Sequence, residues 1–332
     1  MRRFLCLLSG VLLCGLVGAP SARGADPADL AKYRRILFLG DSNTYAGQWV
    51  EYVEAYLRLH VPGFHAEVLN LGLPSETVSG LSEPGHAGGA FPRPVLSERL
   101  DRVLDKVKPD LVVACYGMNC GMYYPPNADR LGKFEAGIKH LREKASACGA
   151  MVVHVTPPVF DPGPIRSKTL PAGLPAYTQP YEGYDEFLKQ ASDWLLSQRA
   201  NGWEVVDVHG PMTRFLERGR SRDPKYHLAA DGVHINGAGH WLIARAVLAH
   251  WGFPTGKLGD ETSAERVLAA DPGGTEVLKL VQRRQRLLKD AWLTETGHKR
   301  PGMNRGVPLD EARREAQKIE AELEKAVARP AG

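Results

Sequence analysis

Residues Arg35 to Asn43 read RILFLGDSN, and this stretch decides the fold. Five residues of compact, strand-type apolar sequence run directly into Gly40-Asp41-Ser42-Asn43. A short apolar run closed by turn residues fits a strand buried on both faces. A helical pattern follows, with Trp49, Val53, Tyr56, Leu57 and His60 on one face. The alternation then repeats. Further strands are predicted at 66–71 (AEVLNL), 110–116 (DLVVACY), 151–156 (MVVHVT) and 203–208 (WEVVDV). Helices between them are marked by Leu96, Leu100, Val103 and Leu104, by Phe134, Ile138 and Leu141, and by Phe187, Leu188 and Ala191. A last apolar helix spans Gly239–Trp251. Strands and helices in this order predict an α/β protein with a parallel sheet covered on both faces. In such sheets ligands sit beyond the carboxyl ends of the strands, so the chemistry belongs in the loops that follow them.

The rest of the chain fits that frame. Its 332 residues are 43% hydrophobic and 24% charged, which is globular composition and excludes a disordered or collagen-like chain. Residues 1–24 have a basic start at Arg2-Arg3, an apolar run from Phe4 to Ala19 and small residues before Gly24. That layout predicts a secretory signal peptide, and its apolar run is short for a membrane span. The mature protein is expected to be exported to the periplasm or beyond, without stable membrane insertion. Residues 25–254 then form the catalytic domain, and 255–332 a basic and helical extension. Three cysteines remain, Cys115, Cys120 and Cys148; they allow at most one disulfide, and the sequence does not choose it. The leader carries +3 and residues 275–332 carry +4, together three more than the chain's +4, so the middle is −3. A slightly acidic body argues against nucleic acid as a partner.

Four loops carry the candidate chemistry. Ser42 follows the first strand, where Gly40 permits close backbone approach and Asp41 organises the turn. Asp231-Gly232-Val233-His234 precedes the last helix, with a spacing that lets Asp231 hold one ring nitrogen while the other faces Ser42. A serine nucleophile needs that imidazole and that carboxylate. Gly72 ends the second strand with an unobstructed N–H, and Asn119, in Gly117-Met118-Asn119, follows the third. Both are candidate donors to a developing oxyanion. His209, His227, His240 and Asp207 lack helical metal-ligand spacing, so neither a metal nor a cofactor is expected. The Pro- and Gly-rich loop 157–180 and Tyr123-Tyr124 are expected to border the site. The basic stretch Lys279–Arg305 reads either as a solvated, wrapping segment or as a surface for an acidic glycan.

At these blocks the chain resembles the SGNH or GDSL-type hydrolases, in the right order across residues 34–251. The resemblance implies a flavodoxin-like three-layer α/β/α sandwich of about five parallel strands. It further implies Ser42 as nucleophile, His234 as base, Asp231 as its orienter, and Ser42 N–H, Gly72 N–H and the Asn119 amide as the oxyanion hole. Two positions depart from the family pattern: the first motif ends in Asn43 rather than leucine, and Cys120 stands where an aspartate is usual. The expected protein is an exported serine esterase without cofactor, acting on a small-molecule or polysaccharide ester and best read as a carbohydrate O-acetylesterase. A lysophospholipase or thioesterase is the alternative within that chemistry, and a non-catalytic glycan-binding module the alternative outside it.

Overall fold

The computed structural model describes residues 27–254, 256 and 263–328, so the leader expected at 1–24 lies outside the described residues. The strands are β1 (Arg35–Gly40), β2 (Glu67–Asn70), β3 (Leu111–Cys115), β4 (Met151–Val155) and β5 (Glu204–Val206). They pair in parallel in the order β2-β1-β3-β4-β5, the expected flavodoxin-like arrangement. The chain steps one way from β1 to β2 and then back across to β3, which leaves a crevice between the ends of β1 and β3.

The helices are α1 (Ser42–Tyr45), α2 (Gln48–His60), α3 (Leu100–Val107), α4 (Ala128–Ala147), α5 (Asp185–Ser197), α6 (His209–Arg220) and α7 (Gly237–His250). Three more follow as α8 (Ala264–Ala269), α9 (Gly274–Thr296) and α10 (Leu309–Val327). Successive strand residues face opposite layers, as the pleat requires. Ile36, Phe38, Val113 and Val153 join the apolar layer under α2 and α7, whereas Leu37, Leu39, Val112 and Val152 join the one under α3, α4 and α5. Helix α6 has no counterpart in the sequence reading. Its opening His209-Gly210-Pro211 looks like a turn, yet proline is tolerated in a first helical turn, where its missing N–H has no acceptor to lose.

The C-terminal helices close an edge. Strand β2 ends the sheet, and an uncovered edge strand offers unpaired backbone groups to other chains. Helix α9 crosses this edge, and Gln285 Nε2 donates to the Val68 carbonyl at 3.0 Å. Its Val277 and Val281 join one apolar layer, and its Leu288 and Trp292 join the other. A buried carboxylate ties the helices together. Glu54 on α2 accepts from Arg58 at 2.8 Å and from Arg284 of α9 at 3.0 Å, and Arg58 also donates to Glu320 of α10 at 2.6 Å. Residues 264–328 thus supply core to the same sheet.

His154 makes the core acid-sensitive. It is fully buried in β4, stacked on Trp203 at a ring separation of 5.1 Å. Neither ring nitrogen has a partner among the described residues, and burial pushes its pKa down to about 3. The native ring stays neutral while the unfolded one takes a proton near its ordinary value. Stability from this site is therefore complete above about pH 6.5 and is lost as pH falls towards 3, at about 1.4 kcal/mol per pH unit. His154→Phe is expected to flatten this dependence, so melting temperatures at pH 7 and pH 4.5 should converge. A variant that loses as much stability in acid as the wild type does would refute the assignment.

Candidate active site

Strand β1 delivers Ser42 to the crevice. A Cβ at Gly40 would lie 2.6 Å from the Cys115 carbonyl of β3 and 2.1 Å from Thr44 Oγ1, so the turn into α1 closes only with glycine there. Asp41 caps α1 by accepting from the Asn43 N–H at 3.0 Å. It is buried, and desolvation pushes its carboxyl up to about 6 against that hydrogen bond. Asp41 supports the turn.

The loop before α7 brings in the other two side chains. His234 Nε2 lies 3.0 Å from Ser42 Oγ, and His234 Nδ1 lies 2.6 Å from Asp231 Oδ2. The second oxygen of Asp231 accepts from the N–H groups of Val233 at 3.0 Å and His234 at 2.8 Å. Partial burial would raise its pKa, but these bonds outweigh burial and hold the carboxyl below its ordinary range. An ionised Asp231 at Nδ1 favours the tautomer that carries its proton there and leaves Nε2 to accept from Ser42. The residue after Ser42 fixes this geometry across the crevice. Asn43 Nδ2 donates to the Val233 carbonyl at 3.1 Å, and Asn43 Oδ1 accepts from the Ile235 N–H at 3.1 Å. Those bonds bracket His234 on both sides. The departure from leucine at position 43 thus has a positional use.

Asn119 stands beyond β3 with its amide fixed at three points. Its Oδ1 accepts from Arg93 Nη1 and from the Tyr123 hydroxyl, each at 3.0 Å, while Nδ2 donates to the Glu76 carbonyl at 3.3 Å. Two donors on one oxygen settle which end of the amide is nitrogen. Arg93 is itself held by both oxygens of Glu83, and its charge lies over the Tyr123 ring. Glu76 is anchored by Arg99 at 2.6 Å and by the Tyr116 hydroxyl at 2.6 Å. This network holds the Asn119 loop where Cys120, fully buried, replaces the usual aspartate.

The Gly72 N–H is engaged elsewhere. It donates to Asn70 Oδ1 at 2.9 Å, and a Cβ at Gly72 would lie 2.4 Å from the Tyr45 nitrogen. Position 72 is glycine because α1 packs on it. Three residues on, Ser75 adopts a left-handed φ of 67°, and its N–H has no partner among the described residues. A side chain bearing Cβ at positive φ is strained, and such strain gathers at functional sites.

The family model of the GDSL-like lipase/acylhydrolase family matches residues 38–242, more than half of the chain and all four loops. The chain belongs to this family. It is therefore an ester hydrolase of the esterase or acylhydrolase type. Among solved structures it is similar to BT4096, a gut microbial diltiazem-metabolizing enzyme, with 19% identity and a TM-score of 0.52. That match covers 70% of this chain and 49% of the other, so this chain spans about half of that enzyme's length. A catalytic mutant of Axe2, an acetylxylan esterase from Geobacillus stearothermophilus, matches with 20% identity and a TM-score of 0.49, covering 67% of this chain and 95% of that one. At such identities the likeness shows the fold alone. A search of curated proteins found no match.

The long loop after β4 braces the turn that carries Asp231 and His234. The Asp161 N–H donates to the Gly232 carbonyl at 2.9 Å, and the Asp161 carboxylate pairs with Arg220 of α6 at 2.5 Å. On the Asn119 side, the Tyr181 N–H donates to the Tyr123 carbonyl at 2.8 Å. The histidines outside the pair are dispersed. His209 bonds to Asp185 at 3.2 Å, His227 to the Lys225 carbonyl at 3.0 Å, and His240 is buried in α7. Cys115, Cys120 and Cys148 are free thiols, the first two buried. No helix among the described residues is long and apolar enough to cross a membrane.

Much of the basic stretch is spent internally. Lys289 Nζ donates to the Tyr45 carbonyl at 2.7 Å, and Arg300 Nε donates to the Pro74 carbonyl at 3.0 Å. Arg284 is buried on Glu54. Arg300 comes within two residues of Glu76 in sequence terms, at Pro74, but its charge is turned to backbone and to Met303.

Proposed function

We propose that this hydrolase is a serine esterase that removes small acyl groups, acetyl above all, from carbohydrates. The observation that carries the reading is the continuous chain from Ser42 Oγ through His234 to Asp231, at 3.0 and 2.6 Å. Ser42 attacks the ester carbonyl while His234 Nε2 takes the hydroxyl proton. The tetrahedral intermediate expels the alcohol, which leaves with the proton returned by His234. Water, activated by the same imidazole, then attacks the acyl-Ser42 ester and releases the acid. The oxyanion donors proposed are the Ser42 N–H, Asn119 Nδ2 and, in place of the Gly72 N–H, which is bonded to Asn70, that of Ser75.

The substrate class is argued from access. The side chains of His234 and Asp231 are each 56% exposed, so a bulky alcohol reaches Ser42 without entering a tunnel. Half-buried Tyr124, Tyr177 and Tyr181 form a rim beside the Asn119 loop, with ring separations of 5.6 and 6.1 Å. Such rings offer faces for sugar C–H groups as well as hydroxyls for polar contacts. Export of the protein to the periplasm or beyond belongs to the same proposal.

The deciding experiment compares kcat/KM for acetylated xylooligosaccharides, p-nitrophenyl acetate, p-nitrophenyl octanoate, lysophosphatidylcholine and an acyl thioester. Acetylated sugars are expected to lead. Preference for octanoate, the lysolipid or the thioester would transfer the protein to the other acyl-hydrolase class. No turnover of any ester, with binding to the sugars, would leave a glycan-binding module.

A further inference from the structure

The β5 edge of the sheet holds a groove of quite different character. A groove of about 940 Å³ runs between α6 and α7 beside β5, and Ser42, Asp231 and His234 are not among its lining residues. Five arginines line it: Arg199, Arg214, Arg218, Arg222 and Arg245. Asp207 is the one carboxylate among the described lining residues. Its floor is apolar, formed by Phe215, Leu242 and Ala246 among others.

We propose that this groove binds an acidic polysaccharide through its carboxylate or sulfate groups. Arg214 and Arg218 stand one turn apart on one face of α6, about 6 Å from each other, and Arg222 follows in the turn just beyond the helix. All three are exposed, and none has a carboxylate within ion-pair distance among the described residues. Arg220, on the same helix but another face, does have one, in Asp161. Like charges one turn apart repel and destabilise a helix, and a bound polyanion removes that penalty. Guanidinium forks match carboxylate and sulfate oxygens in geometry as well as charge.

Size selects a chain over a free ion. The lining arginines come from α6, the turn beyond it, α7 and the segment before β5, around a groove of about 940 Å³ that is far larger than one sulfate or phosphate. The floor selects the kind of chain. Of the rings in the groove, Phe215 is already covered by Arg218 at 5.8 Å and His250 is paired with Glu204 at 2.8 Å, so nucleic-acid bases find no open ring to stack on. Sugar rings need only the apolar floor and the charges above it. The inference does not depend on the esterase reading, because its test reads binding alone.

Labelled polygalacturonate titrated into the full chain at low and at physiological salt provides that test. Dextran, inorganic sulfate and duplex DNA serve as the other arms. Wild-type protein is expected to bind polygalacturonate with an affinity that falls as salt rises, and to ignore dextran. The combined Arg214→Gln, Arg218→Gln and Arg222→Gln variant should bind about tenfold or more weakly, with a flatter salt dependence. Its hydrolysis of p-nitrophenyl acetate should match the wild type, and its melting temperature should be no lower. Equal binding by variant and wild type would overturn the site. Tighter binding of DNA than of polygalacturonate, or sulfate binding with no gain from the polymer, would overturn the ligand.

Discussion

Ser42→Ala is expected to lower kcat for p-nitrophenyl acetate by about 10⁴-fold or more. The magnitude follows from what alanine removes. Without Oγ there is no acyl-enzyme, and His234 is left with a water in place of a positioned nucleophile. Binding contacts and oxyanion donors survive, so a residual rate over solution is expected. His234→Ala should cost a similar factor, and the double variant little more, because the two side chains act as one device. Asp231→Asn should cost less than either, since Asn43 still brackets the His234 backbone. Steady-state kinetics with active-site labelling by a fluorophosphonate would check all four proteins. A Ser42→Ala enzyme within tenfold of wild type, or label retained on it, would dismiss the mechanism.

Asn119→Ala should reduce kcat by about 10²–10³-fold, equivalent to about 2.7–4 kcal/mol, with KM changed far less. A donor aimed at the oxyanion acts when charge develops there, so its removal is read in kcat. Arg93 and Tyr123 act through Asn119 by holding Oδ1, which keeps Nδ2 presented. Arg93→Met is therefore expected to lower kcat by a smaller factor, and Tyr123→Phe by less again. Arg93→Lys should restore part of the loss, since a lysine keeps the charge but cannot both donate to Asn119 and span the two Glu83 oxygens. If Asn119→Ala raised KM and left kcat intact, Asn119 would be a binding residue and no oxyanion donor.

The Ser75 assignment shows where reading from residue type alone goes astray. Glycine is the residue that tolerates close approach and unusual backbone, so Gly72 is the natural choice at the end of β2. In the fold, that freedom is used for packing against α1, and the left-handed residue is a serine. Nothing local to Pro74-Ser75 announces it. The Arg93 brace is equally silent, because its partner Asn119 is 26 residues away and on a different loop. Asn43 had a visible signal, in the departure from leucine, but its partners Val233 and Ile235 lie about 190 residues on.

The basic stretch Lys279–Arg305 reads either as a wrapping segment or as a surface for acidic ligands, and several of its charges are consumed in bonds to α2, to α1 and to the loop after β2. Exposed arginines without a carboxylate partner stand instead on α6, a helix hidden behind a Gly-Pro opening, and in the turn just beyond it. Charge counts along the chain do not say which charges find partners.

Local sequence carried the strand–helix alternation, the parallel sheet and the loops bearing Ser42, Asn119, Asp231 and His234. Those follow from hydrophobic period and from position after a strand, and both are properties of neighbouring residues. Tertiary structure alone decided which backbone N–H groups stay free, which arginine holds the Asn119 amide, and how the C-terminal helices seal β2. Each of these depends on hydrogen-bond and ion-pair partners far apart in sequence, chosen by packing, and such choices leave no period to read.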